Sequence, residues 1–118
     1  MNLFNPFTIT LGLTALVFLG AGWLLINRPP SKINHLYGYR MPSSMSSQER
    51  WDFAQKASGV QTIRIGWILA ALAFIRVLVP GMGDISDVLL ALGVVILACI
   101  RIMTRTEQDI SERFSADL

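Results

Sequence analysis

Three long stretches of this 118-residue chain are nearly free of charged residues. Residues 7–26 contain no charge over twenty positions, and a helix of that length extends about 30 Å, the thickness of the hydrocarbon core of a bilayer. Residues 65–79 contain one charge, Arg76, near their end, and residues 88–100 contain none. The pattern predicts membrane-crossing helices over about 7–27, 62–79 and 86–103. The third stretch is short enough to suit a re-entrant segment as well.

The composition also indicates that the chain folds in a lipid bilayer, since 53% of the residues are apolar and 15% are charged. A soluble domain of this size would distribute charges along every element. No Lys or Arg precedes the first apolar stretch, so we expect it to be a retained helix and not a signal peptide. Small residues recur on all three helices, which favours close helix packing. A unit of three helices buries little surface, so we also expect self-association into a homo-oligomer.

The distribution of charge predicts the orientation in the membrane. Residues 28–64 carry six basic and two acidic side chains, a net charge of +4, whereas the turn 80–87 carries Asp84 and Asp87 and no base. Basic segments remain in the cytoplasm, so the loop 28–61 and the tail 104–118 are predicted inside and the N-terminus outside. Because this rule accounts for the basic residues, nucleic-acid binding is not predicted.

The loop 28–61 contains the signals of a short helix. Ser46 with Glu49 three positions on forms a capping-box pattern, and Gly59 is a typical helix stop. The helix predicted over about 46–58 is amphipathic, and we expect it to lie on the membrane surface with Trp51 at headgroup depth. The predicted fold is therefore one all-α integral membrane domain, with three transmembrane helices and a cytoplasmic loop that includes this interfacial helix.

One motif in the loop is specific enough to suggest a family. Tyr37-Gly38-Tyr39-Arg40 is followed by Pro42-Ser43, by Trp51 and Ala54, and then by Gly59 and a hydrophobic helix. This combination resembles the signature of the SdpI family of small bacterial membrane proteins, named for an immunity protein against the sporulation-delay killing toxin. The resemblance implies a location in the bacterial plasma membrane, and toxin resistance or signalling in which a repressor is held at the membrane.

Candidate binding residues lie in and next to this motif. Arg40 is the leading one, because a guanidinium binds a carboxylate or phosphate through a planar fork, although a lipid phosphate is an equal alternative. Tyr37 suits an interfacial anchor and Tyr39 a pocket wall. The full predicted set is Asn34, Tyr37, Gly38, Tyr39, Arg40, Ser43, Trp51 and Gln55. In this set, Asn34 and Ser43 are expected to tie the loop together, and Trp51 to pack under the loop or in the interface.

No catalytic or metal-binding pattern is present in the sequence. It contains no Ser, His and acid constellation and no phosphate-binding Gly-rich loop, and both His35 and Cys99 are single residues of their type. We therefore predict a non-enzymatic protein without cofactor or metal. The resemblance to the SdpI family implies that it binds a peptide toxin or a cytoplasmic regulator. The alternatives are a small oligomeric transporter or channel, and a binder of an anionic small molecule or lipid headgroup at the inner face.

Overall fold

The computed structural model describes residues 4–34, 38–79 and 83–114, and this part of the chain is helical without strands. Three helices are long and apolar enough to cross a membrane, which confirms the predicted all-α membrane fold. The helices in chain order are α1 (Pro6–Asn27), α2 (Pro42–Met45), α3 (Gln48–Leu78) and α4 (Asp84–Arg113).

Helix α1 begins and ends where its sequence dictates. The side chain of Asn5 accepts a hydrogen bond from the backbone N–H of Thr8 at 2.7 Å, and Pro6 occupies the first turn, where no N–H is required. At the other end Pro29 and Pro30 cannot continue the helix. The 22 residues between these signals extend about 33 Å, enough to cross the hydrocarbon core.

Helix α3 is longer than the sequence suggests. The short helix predicted over 46–58 is not a separate element, because it continues without a break into the second membrane-crossing helix. Its N-cap is Ser47 rather than Ser46, and the Ser47 hydroxyl accepts the backbone N–H of Arg50 at 3.1 Å. Gly59 does not end the helix. The 31 residues extend about 46 Å, which exceeds the hydrocarbon core by several turns.

Helix α4 is extended in the same way. The first ten residues of the tail belong to one helix of 30 residues that continues from the third apolar stretch and ends at Arg113. The last turns of α4 lie beside the first turns of α3, where Ile110 and Phe114 pack against Ala54. This contact lies beyond the end of α1. We call this region, the described residues of 28–61 together with 104–114, the polar end of the bundle.

Glycines set the distance between α1 and α3. A Cβ atom at Gly22 would lie 2.5 Å from Cγ1 of Ile63 and 2.8 Å from the carbonyl oxygen of Gly59. A Cβ atom at Gly59 would lie 3.0 Å from the carbonyl oxygen of Gly22, so the two backbones are in direct contact. Small residues allow this approach, and the dispersion contacts and hydrogen bonds that it permits hold helices together in lipid. Gly59 thus serves packing and not helix termination.

We expect Gly22→Ala to lower the free energy of unfolding by about 1–3 kcal/mol, because the methyl group must push apart two backbones. Gly20→Ala is the matched control, since a Cβ there meets nothing within 4 Å. Unfolding of both variants by steric trapping in bicelles measures the difference. Equal stability of the two variants would contradict the close contact between α1 and α3.

An ion pair joins α3 to α4 at the end of the bundle opposite the polar end. Arg76 Nη2 lies 2.8 Å from Oδ2 of Asp87, and Arg76 Nε donates to Oδ1 at 3.3 Å. In the sequence each of these residues lies near the end of an apolar stretch, and nothing local indicates a partner for either. They bind each other, because the antiparallel packing of α3 and α4 places one opposite the other.

Candidate functional site

The loop that carries the Tyr-Gly-Tyr-Arg motif is fixed to α3 by Gln55. This fully buried amide accepts the backbone N–H of Tyr39 at 2.7 Å and donates to the Tyr39 carbonyl oxygen at 2.9 Å. Gly38 precedes this double hydrogen bond with a φ of +105°, and a Cβ there would lie 2.6 Å from the Gln55 Oε1 atom. Only glycine combines this backbone conformation with this approach.

Trp51 fixes the beginning of the loop, one turn before Gln55 on the same helix. Its side chain is fully buried, and its indole N–H donates to the carbonyl oxygen of Pro30 at 2.7 Å. The helix that carries Trp51 is therefore not the separate interfacial helix that the sequence predicts, and the indole is covered by the protein itself. The residue packs under the loop, the other position expected for it from the sequence.

Glu107 of α4 closes the site from the opposite side. Its carboxylate accepts the Tyr39 hydroxyl at 2.6 Å and the Ser43 hydroxyl at 2.8 and 2.6 Å from its two oxygens. Burial, the hydrogen bond to Glu107 and the charge of that carboxylate, in this order of size, raise the pKa of the Tyr39 phenol above its ordinary value. Tyr39 therefore stays protonated at physiological pH, as a hydrogen-bond donor must.

These contacts surround a cleft of about 190 Å³ at the polar end, which we call the polar-end cleft. Its lining residues are Ser43, Arg50, Glu107, Ile110, Ser111 and Phe114. Ile110 and Phe114 are buried and pack with Ala54 in a second hydrophobic core, separate from the one between the membrane-crossing helices. The cleft thus has an apolar floor between polar walls.

Two arginines approach the ring of Phe114. The guanidinium carbon of Arg50 lies 5.0 Å from the ring centroid, and that of Arg113 lies 5.7 Å from it. Such cation–π contacts hold a guanidinium in place while its N–H groups can still donate to an acceptor. Arg50 is the one of the two that lines the polar-end cleft.

Four residues of the predicted set meet at this site: Gly38, Tyr39, Ser43 and Gln55. Trp51 supports the same loop from below. Asn34 lies apart from the cleft, where its side-chain amide donates to the Lys32 carbonyl oxygen at 2.9 Å. Arg40 is exposed to solvent and is not among the residues that line the cleft.

The prediction for Tyr37 falls outside the described residues, as does His35. Within the described ranges no group of three or more His, Cys, Asp or Glu side chains is arranged to hold a metal ion.

Sequence reasoning missed the contribution of α4 to the site. No sequence pattern marks Glu107 or Ser111 as site residues, since nothing local indicates that the tail lies beside a loop more than 60 positions away. A weak signal did exist in Ile110 and Phe114, which are four positions apart and so share one helix face. Both turn out to be buried against α3.

Fold and site together define a multi-pass membrane protein in which two helices continue past the bilayer into a polar end that holds a cleft. The model of the SdpI/YfhL protein family matches residues 31–104, and the chain belongs to this family. It is 33% identical over 88 residues to "Uncharacterized protein YfhL" of Bacillus subtilis (strain 168), an alignment that covers 75% of this chain and 74% of that protein. No solved structure matches the chain.

Proposed function

We propose that this protein is a non-enzymatic bacterial membrane protein that binds a protein partner, a peptide toxin or a cytoplasmic regulator, through its polar end. The observation that carries the proposal is the convergence of three distant segments on one cleft. The loop supplies Ser43, α3 supplies Arg50, and α4 supplies the remaining walls. Family membership supports a small membrane protein of this kind.

The hydrogen bonds around the cleft favour binding because they fix its walls in advance. Gln55 fixes the loop to α3, and Glu107 fixes the same loop to α4 through two hydroxyl groups. Binding of a partner then costs less conformational entropy, since the surface that receives the partner is already ordered. The Tyr-Gly-Tyr-Arg motif would act mainly by building this receptor.

The basic excess of residues 28–64 favours a cytoplasmic location of the polar end, with the N-terminus outside. Asp84 and Asp87 then belong to the outer end. This orientation makes the cleft accessible to a cytoplasmic regulator, or to a toxin that has entered the inner leaflet.

The transporter or channel alternative has less support. Between the two ends of the bundle, the described buried core consists of apolar residues such as Leu11, Leu69 and Ala91. A polar path through one copy of the chain would require hydrophilic groups at these positions. An oligomeric pore, like the homo-oligomer itself, stays a prediction from the sequence.

Photo-cross-linking in living bacteria tests the proposal. A benzophenone amino acid at Ser111, which is exposed and lines the cleft, is expected to give a discrete adduct with a partner protein on illumination. The same group at Gln108, exposed on the same helix but not lining the cleft, is expected to give none. Mass spectrometry identifies the adduct, and the purified partner should reproduce it in nanodiscs.

Three results would contradict partner binding at the cleft. These are equal adducts from both positions, adducts with lipid alone, and adducts of the chain only with itself. The last would indicate that the polar end joins copies of this protein.

A further inference from the structure

We infer that the polar-end cleft recognises an acidic side chain of a partner peptide, with the carboxylate on Arg50. This inference rests on the proposed function, and it specifies the chemistry of the partner.

The charge of Arg50 is the first reason. Its guanidinium contacts the Phe114 ring, and among the described residues no side-chain or backbone acceptor and no carboxylate lies within bonding distance of it. The same holds for Arg113 on that ring. A half-buried guanidinium at the edge of a cleft gains most from a planar carboxylate, which matches two of its N–H groups at once.

The size of the cleft is the second reason. Small-molecule sites usually measure about 300–1,000 Å³, whereas this cleft holds about 190 Å³. That volume suits one or two side chains of a peptide and not a cofactor-sized molecule.

Glu107 is the third reason, because it distinguishes a peptide from a phosphate. Its carboxylate is held at the cleft wall by Tyr39 and Ser43, so its negative charge stays in place. This charge repels a dianionic phosphate on Arg50 more strongly than it repels a carboxylate, which carries one negative charge. A peptide bears one negative charge on its acidic side chain and also offers backbone N–H groups that can donate to Glu107.

Nuclear magnetic resonance on the full chain in nanodiscs tests the inference, with the Ile110 methyl group as the probe. The titrants are acetyl-Gly-Leu-Glu-Leu-Gly-amide and the same peptide with Gln in place of Glu. We expect saturable shifts with the Glu peptide and at least about tenfold weaker binding of the Gln peptide, since a hydrogen bond to a charged group is lost. Arg50→Gln should weaken binding of the Glu peptide by the same factor.

Lys56→Gln is the matched control, because it removes one positive charge from an exposed position on the same helix and should leave the affinity within about twofold. The inference is overturned by equal binding of both peptides, by no Ile110 shift at millimolar peptide, or by an equal loss in Lys56→Gln. Arg50-dependent binding of inorganic phosphate, or of vesicles rich in phosphatidylglycerol, in place of the peptide would also overturn it. If the Ser111 adduct persists in any of these cases, the proposed function stands and only the acidic partner is excluded.

Discussion

Asp87→Ala is expected to lower the free energy of unfolding by about 3–5 kcal/mol, because it leaves a buried guanidinium without its counter-charge. The side chains of Arg76 and Asp87 are only 15% and 5% exposed, and two nitrogens of the arginine contact the two oxygens of the carboxylate. Lipid offers no replacement for the lost partner except at its headgroups. Among the described residues, Arg76 also donates to the Val79 carbonyl oxygen at 2.7 Å.

Steric trapping in bicelles measures this loss, with Asp84→Ala as the matched control. Asp84 is also acidic and in the first turn of α4, but it is exposed, so its removal should change stability by less than about 1 kcal/mol. The double variant Arg76→Leu/Asp87→Leu should recover most of the loss, since an apolar pair needs no counter-charge. A double variant as unstable as Asp87→Ala would mean that the pair itself, and not an orphaned charge, provides the stability.

Trp51→Ala is the second change expected to have a large effect, a loss of about 3–5 kcal/mol. The indole is fully buried under the loop, so truncation leaves a cavity and also removes the donor to the Pro30 carbonyl oxygen. Trp51→Phe keeps most of the volume and loses mainly the hydrogen bond, which leaves the Pro30 carbonyl oxygen without its donor, so it should cost about 1–3 kcal/mol. The difference between the two losses in the free energy of unfolding measures the contribution of packing apart from that of the hydrogen bond.

Trp67→Ala provides the comparison on the same helix. Its side chain is 64% exposed on the surface that faces lipid, and truncation there removes few protein contacts. Hydrogen exchange of backbone amides adds a local measurement: in Trp51→Ala the loop after Pro30 should exchange faster, while the middle of α3 remains protected. Slow exchange of the loop in this variant would show that Gln55 alone fixes it.

The membrane-crossing helices were predictable because hydrophobic length is a local property of the sequence. A charge-free stretch of twenty residues identifies α1 whatever surrounds it. The ends of the helices were harder to predict. Gly59 is a common stop signal, but the contact with Gly22 uses its missing side chain for helix packing, and the helix continues.

The candidate site was only half predictable, since its two halves come from different parts of the chain. The motif around Gly38 and Tyr39 identified the loop by resemblance, and the geometry gives the physical reason for its glycine and tyrosine. Glu107 could not be found, because its hydrogen bonds to Tyr39 and Ser43 span 68 and 64 positions. The pairing of Arg76 with Asp87 likewise depends on the packing of two helices and not on spacing alone.

The unbroken course of α3 and α4 links the position of the cleft to bilayer thickness. Neither helix has a joint between its apolar turns and its polar turns, so a thinner membrane, which increases the tilt of the helices, moves the cleft with them. A hinge at Gly59 would have allowed the two parts to move separately. The distance between Arg50 and the nearest headgroups therefore depends on the lipids around the protein, and acyl-chain length becomes a means of changing how the proposed partner reaches the cleft.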